Sequence, residues 1–322
     1  MVKFLLFTAL IASNLHGSFE AVWRNMQQEY HAIKQITRKT KKNNMPMYMN
    51  EFYKDLIVKL DKLVASRPNA NFLKESCLTP IMVRGYVEDL ATYEEAFLEY
   101  FISEKTKSLI ANFKEHSRGL LDQNCVKFNC SSNTLGQLFY VAKVLELSND
   151  LHPNLILEVG GGFGTLAKCF KQILPGSTII IVDLPEMNVI QKIFLNYTAP
   201  DLSVIMHKSN LDSIKPGAIN LVPLYLLESI AVQPDLFIST FALSESTEKM
   251  QKFIIDKNFF NAKKIYITGQ MHGWKGIGFD WIVDHKLIID AVRNRYSKAL
   301  CTPFHLFNKQ FLSYELYGEA VS

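Results

Sequence analysis

The stretch LILEVGGGFGTLAKCF, residues 155–170, places an acid, Glu158, just ahead of a corner that holds Gly160, Gly161, Gly162 and Gly164. Glycine has no Cβ, so such a corner tolerates positive φ and lets backbone N–H groups come directly against a ligand. Nineteen residues beyond Gly164, the run STIIIVDLP delivers a second acid, Asp183. A carboxylate at that place can accept from both hydroxyls of a ribose. Together these types and spacings point to the holding of a nucleoside.

The spacing also says which kind. A dinucleotide fingerprint requires glycine or alanine five residues after its first glycine, but the residue five after Gly160 is Thr165, and a glycine stands at plus four, Gly164. The pattern E-V-G-G-G-F-G, with Asp183 after the next strand, resembles motif I of class I S-adenosylmethionine-dependent methyltransferases. The resemblance implies a Rossmann-like fold, S-adenosylmethionine as cofactor, a loop wrapped around its methionine half, and a role for Glu158 in holding the loop and the cofactor's ammonium end. VDLPEM after the second strand and DLFISTFALSE at the fourth are similar to a family of sugar O-methyltransferases, over roughly residues 132–318. A sugar or glycoconjugate hydroxyl as acceptor is what that likeness implies. Methylation of an amino sugar's nitrogen needs similar placement.

A sugar hydroxyl is a poor nucleophile unless it loses its proton as it attacks, so a general base is expected near the strand ends. Glu245, in STFALSE, and His272, in ITGQMHGW, are the two catalytic candidates; His285, beside Asp284, is a weaker third. Gly269, Gly273, Gly276 and Gly278 mark a loop around His272, and loops above a rigid sheet commonly carry function. Each candidate also has a plain structural reading: a surface-loop histidine, or an acid favoured at a helix N-terminus. Trp274 offers a stacking face, Asn210 and Asp212 follow the third strand where related enzymes touch adenine, and Asn133, Thr134 and Gln137 could meet a carboxylate at a helix start. An Asp280, Asp284, His285 grouping lacks convincing metal spacing, so no metal is expected.

These residues need a scaffold. After Pro153 apolar strand-like runs alternate with helical segments: NLILEVG, TLAKCFKQIL, STIIIVDLP, MNVIQKIFLNY, LSVIMH, PDLFISTFAL, STEKMQKFIIDK and KKIYITGQ. Apolar strands separated by amphipathic helices predict a doubly wound α/β sheet, mostly parallel, covered on both faces. The tail, PFHLFNKQFLSYELYG, carries two further strand candidates. Residues 18–147 read as mostly helical, with Phe52, Leu56, Leu60 and Leu63 on one face of EFYKDLIVKLDKLV. Ser132 or Asn133 is the expected N-cap of a helix carrying Leu138, Val141, Ala142 and Leu145. The division expected is a helical cap or substrate region at 18–147 and a cofactor-binding catalytic domain at 148–322.

Composition sets outer bounds. The 322 residues are 48% hydrophobic and 20% charged, enough for a sizeable core, and the net charge of +4 gives no strong attraction to nucleic acid. The basic run TRKTKKNN, 37–44, reads as a solvated loop. Five cysteines at 77, 125, 130, 169 and 301 form neither a zinc spacing nor a disulfide scaffold, although Cys125 and Cys130 are near enough to pair. MVKFLLFTALIASNLHG, 1–17, has the order of a secretory signal but also suits an N-terminal helix, and its apolar run is too short to span a bilayer. Sequons at Asn129 and Asn196 matter only on a secretory route; otherwise the cytoplasm is expected. A small-molecule or glycan acceptor is the expected partner, and oligomeric state is not legible. Two rival readings remain: a nicotinamide-dependent oxidoreductase on the same fold, which Thr165 and Glu158 disfavour, and a methyltransferase-like binding module without a base.

Overall fold

A computed structural model describes residues 2–40, 51–66, 88–111, 113–115, 128, 130–148, 152–211, 213–271, 285–305 and 312–320. His272, Trp274, Asp212, Asp280 and Asp284 lie outside the described residues, as do Cys77, Cys125 and Asn129.

The helices α1 (Val2–Thr40), α2 (Glu51–Ala65), α3 (Glu88–Tyr100), α4 (Glu104–Ile110) and α5 (Ser132–Leu147) come first. On α1, Trp23, Met26, Tyr30 and Ile33 recur every three or four residues and are all buried. On α2, Leu56, Leu60 and Leu63 of the expected stripe are buried too, while the side chain of Phe52 is not described. Helix α5 starts one residue earlier than the sequence suggested. Its N-cap is Ser131, whose Oγ accepts from the Thr134 N–H at 3.2 Å, and Ser132 is already helical. Glu115 decides this: its carboxylate accepts from the Ser131 N–H and hydroxyl and from the Thr134 hydroxyl, fixing the chain at Ser131.

From residue 155 the chain alternates β1 (Leu155–Val159), α6 (Thr165–Ile173), β2 (Thr178–Asp183), α7 (Pro185–Thr198), β3 (Val204–Met206), β4 (Ile219–Pro223), β5 (Leu236–Thr240), α8 (Glu248–Asp256), β6 (Lys264–Gln270), α9 (Lys286–Arg295), β7 (Tyr296–His305) and β8 (Leu312–Ala320). They form one eight-stranded sheet in the order β3-β4-β2-β1-β5-β6-β8-β7. The first six are parallel, and β8 runs antiparallel to both β6 and β7. This is the mostly parallel, Rossmann-like α/β sheet that the alternation predicted. Ile156, Leu157 and Ile179 to Ile181 have no exposed surface, because helices cover both faces and each such side chain contributes about 1.5–3 kcal/mol by leaving water.

One strand went unread. INLVP forms β4 and takes the place beside β2, which leaves β3 as the edge strand. The segment looks unlike a strand because Pro223 and the leucine-rich 3-10 turn Leu224–Ser229 follow it at once. Its one polar residue, Asn220, is buried but fully used. The carboxamide accepts from the Lys215 N–H at 2.9 Å and donates to the Lys215 carbonyl at 3.1 Å. The strand β7 likewise begins earlier than expected, at Tyr296.

The N-terminal helices are tied to the sheet layer by charge as well as packing. Glu29 of α1 meets Lys192 of α7 at 2.6 Å and Lys208 after β3 at 3.5 Å. Lys34 meets Asp61 of α2 at 2.8 Å and stands 3.8 Å from the fully buried Glu186 at the start of α7. No described helix is long and apolar enough to cross a membrane.

Candidate functional site

Chain direction places a crevice at the carboxyl end of β1. The sheet continues from β1 toward β2 on one side and β5 on the other, and at such a switch point the two connections part and leave room for a ligand. The glycine corner 160–164 lies there. It opens with the Gly160 N–H donating to the Val182 carbonyl at 2.9 Å and closes with the Gly164 N–H donating to the Gly161 carbonyl at 2.7 Å. Gly164, in the left-handed region at φ +87°, is the N-cap of α6.

The four glycines serve different ends. A Cβ on Gly160, where φ is +78°, would lie 1.9 Å from the Ala242 Cβ; one on Gly161 would lie 2.4 Å from Ile181 Cγ2; one on Gly164 would touch Leu195 at 3.2 Å. These three are required by the protein's own packing. Only Gly162, at φ +51°, faces space with no atom within 4 Å of a Cβ. Of the four, it is the one whose missing side chain leaves room for something not of this chain. The sequence ascribed all four to a ligand, because the Ala242 contact comes from a turn 82 residues away that no local pattern announces.

The two acids frame this corner. Glu158 is 2% exposed, and its carboxyl makes no hydrogen bond or ion pair among the described residues. Burial, and secondarily the charge of Asp183, pushes its pKa up to about 8. Asp183 is also raised, to about 7, by burial against the opposing pull of hydrogen bonds from Leu184, Gly161, Gln191 and Gly162. Its Oδ2 accepts from the Gly161 N–H at 2.9 Å and Gln191 Nε2 at 2.8 Å, and its Oδ1 from the Leu184 N–H at 2.7 Å. The carboxylate thus holds the glycine corner, with the Gly162 N–H adding a fourth, weaker bond to the three from Leu184, Gly161 and Gln191. Gln191 was not singled out from sequence. Its Nε2 also donates to the Gly162 carbonyl at 3.0 Å, and Asn188 orients it by donating to its Oε1 at 2.9 Å. Their spacing on α7 is the only local signal.

The turn 241–246 after β5 carries Glu245 into the same neighbourhood. Phe241 sits at φ +67°, a left-handed conformation that costs a non-glycine residue on the order of 1–3 kcal/mol. It is fixed by its N–H donating to the Thr268 carbonyl at 2.9 Å and by its carbonyl accepting from the Glu245 N–H at 3.1 Å and the Ser244 hydroxyl at 2.7 Å. The strained turn presses Ala242 against Gly160 and so locks the candidate base's turn to the glycine corner. Glu245 is partly buried, and its Oε1 accepts from Gln270 Nε2 at 3.3 Å. It is not the first-turn acid of α8; Glu248 is, behind the N-cap Thr247.

Other candidates fall elsewhere. His285 stands before α9, with its ring 6.4 Å from that of Tyr314. Asn210 is exposed and follows the edge strand β3, so β4 separates its strand from β2. Asn133 Nδ2 lies 3.4 Å from the Thr165 hydroxyl and joins the starts of α5 and α6, whereas Thr134 is committed to Glu115. Gln137 is half-buried on α5. Among the described residues no group of three or more His, Cys, Asp or Glu could hold a metal ion, and Cys169 and Cys301 are free thiols.

No protein-family model matches the chain, and no curated protein matches it. Solved structures resemble it distantly. Magnesium protoporphyrin IX methyltransferase of Synechocystis PCC 6803, solved with bound SAH, is 13% identical over 71% of this chain and 99% of its own, with a TM-score of 0.41. Human N-acetylserotonin methyltransferase in complex with SAM is 12% identical over 83% and 67%, with a TM-score of 0.34. TehB from Haemophilus influenzae is 14% identical over 56% and 62%, with a TM-score of 0.41.

Proposed function

We propose that this chain is an S-adenosylmethionine-dependent O-methyltransferase whose acceptor is the hydroxyl of a sugar or glycoconjugate. The observation that carries the reading is the pairing of a side-chain-free opening at Gly162 with the buried carboxyl of Glu158, which has no partner among the described residues, at the carboxyl end of the central strand. A buried carboxyl without a partner is costly, and a cationic ligand offsets that cost. The cofactor fits on both counts, having an ammonium group for Glu158 and a backbone-lined turn for its methionine half. Asp183 is the residue for its ribose. A ribose hydroxyl is accepted there in exchange for one of the bonds Asp183 now takes, such as that from Gln191. The nicotinamide reading is weaker because a pyrophosphate would stand beside two acids.

When bound, the cofactor supplies an electrophilic methyl group on a sulfonium sulfur. The protein's part is to place the acceptor oxygen in line with that methyl, which is worth on the order of 7–11 kcal/mol in well-oriented reactions, and to take the hydroxyl proton. Glu245 is the described base for that proton, held by the turn that also locks the glycine corner; His272 is the second candidate. The oxygen–carbon bond forms as the carbon–sulfur bond breaks, and the electron pair stays on sulfur. Product mass spectrometry after incubation with S-adenosylmethionine and sugar acceptors tests the reading. A 14 Da gain, the mass of one CH₂ (about 0.8 kcal/mol when buried), that is lost in Glu245→Gln but present in wild type supports it. Undiminished turnover in Glu245→Gln moves the base role to His272.

A further inference from the structure

The carboxylate of Asp183 receives four donors from the chain itself, Leu184, Gly161, Gln191 and Gly162, which matches the roughly four positions a carboxylate offers. Those of Gly161, Gly162 and Leu184 are backbone N–H groups, set by the glycine corner and by the N-cap of α7. Gln191 alone is a side chain. Its Nε2 shares Asp183 Oδ2 with the Gly161 N–H, at 2.8 Å against 2.9 Å, so a hydroxyl that comes to Oδ2 meets an oxygen already in use twice. Of those two donors only the carboxamide turns about its own bonds.

Gln191 and Asn188 have no exposed surface, whereas Asp183 and Gly162 keep part of theirs. A hydroxyl therefore reaches Asp183 from the open side, while Gln191 holds it from the buried one. Both N–H groups of Nε2 are engaged, the second on the Gly162 carbonyl at 3.0 Å, and the Asn188 amide steadies Oε1 at 2.9 Å. A Cβ on Gly161 would lie 3.3 Å from Nε2, so glycine there also keeps the approach of the carboxamide clear.

We propose that Gln191 is a latch that competes with the ribose for Asp183, with Asn188 as its brace; this rests on the methyl-transfer reading above. Each hydroxyl bond to Oδ2 is gained by giving up an internal one, and the released N–H stays buried without that acceptor, a cost comparable to the bond itself. The nucleoside hydroxyls consequently add little net affinity. The ammonium of the methionine half, paired with Glu158, carries most of it, so the ligand is selected by its amino-acid end.

Calorimetry on the full chain compares S-adenosylhomocysteine with its analogue lacking both ribose hydroxyls, in wild type, Gln191→Leu and Asn188→Leu. The ratio of the two affinities is the readout, because damage to the packing of the corner weakens both ligands alike and cancels. In wild type the two should bind within about threefold of each other. In Gln191→Leu, where the hydroxyls meet a free position on a carboxylate, the ratio widens to about tenfold to a hundredfold, the worth of a hydrogen bond to a charged group. Asn188→Leu keeps the latch but removes its brace, so its ratio falls between; it carries the comparison if Gln191→Leu does not fold. A wild-type ratio of about tenfold or more, or one ratio shared by wild type and every variant that folds, overturns the latch. Absence of S-adenosylhomocysteine binding by folded wild type sinks the methyl-transfer reading instead, an outcome set apart because both ligands then fail together.

Discussion

Glu158 and Asp183 sit at the ends of adjacent parallel strands, and the low-dielectric packing that buries them disfavours charge on both. Because the folded pKa of Glu158 is raised from 4.5 to about 8, its contribution to stability is full below about pH 4.5 and is lost as pH rises through about 8. A cationic ligand reverses the preference by favouring the ionised form. Affinity for S-adenosylhomocysteine, whose ammonium remains, should therefore rise from pH 6 to pH 9, with protons released on binding. Glu158→Gln should flatten that rise, weaken binding at pH 8.5 by about tenfold to a hundredfold through the lost charge-assisted bond, and melt higher than wild type at that pH without ligand. Calorimetry and melting across the pH range check both parts; parallel pH profiles for the two proteins contradict them. Both acids were legible in the sequence by type and position. Their hydrogen-bonding roles were not, since Gln191, which ties Asp183 to Gly162, declares itself only when α7 folds back over β2.

The glycine corner and the turn 241–246 are interlocking elements, and their glycines separate folding from binding. Gly160→Ala forces a Cβ into Ala242 at a positive φ; overpacking and strain together should cost about 2–4 kcal/mol. Gly162→Ala meets no atom and should cost about 1 kcal/mol for its φ alone, yet it fills the opening the ligand needs. Melting and cofactor titration should therefore diverge: Gly160→Ala loses stability, and Gly162→Ala keeps most stability but loses affinity. Equal affinity in Gly162→Ala and wild type would place the ligand elsewhere. The parallel strands were readable because burial on both faces makes them continuous apolar runs. β4 was not, because five residues ending in proline and running into a leucine-rich turn give no period to read. The cap of α5 slipped by one residue because Glu115, fifteen residues or more before the helix, selects Ser131 over Ser132.

Across the whole molecule, α1 packs against α7, buries Trp23, Met26, Tyr30 and Ile33, and joins Glu29 to Lys192 of α7 and to Lys208. The seat lies against the helix that follows Asp183, so the N-terminal helices and the candidate site share one support. Trp23→Ala should destabilise by about 3–5 kcal/mol, seen as a lower Tm, and should weaken cofactor binding through α7. A mild loss confined to α1, with Tm and affinity both intact, would show the helix to be dispensable. The amphipathic stripe of α2 was visible in sequence, but the partner of α1 was not, since tertiary pairing leaves no local trace. The central claim concerns one ligand, and calorimetric titration of the full chain with S-adenosylhomocysteine tests it most directly. The account predicts saturable one-to-one binding that tightens with pH and fails in Gly162→Ala. No heat at millimolar ligand from folded protein, or tight binding of NADH in its place, would contradict it.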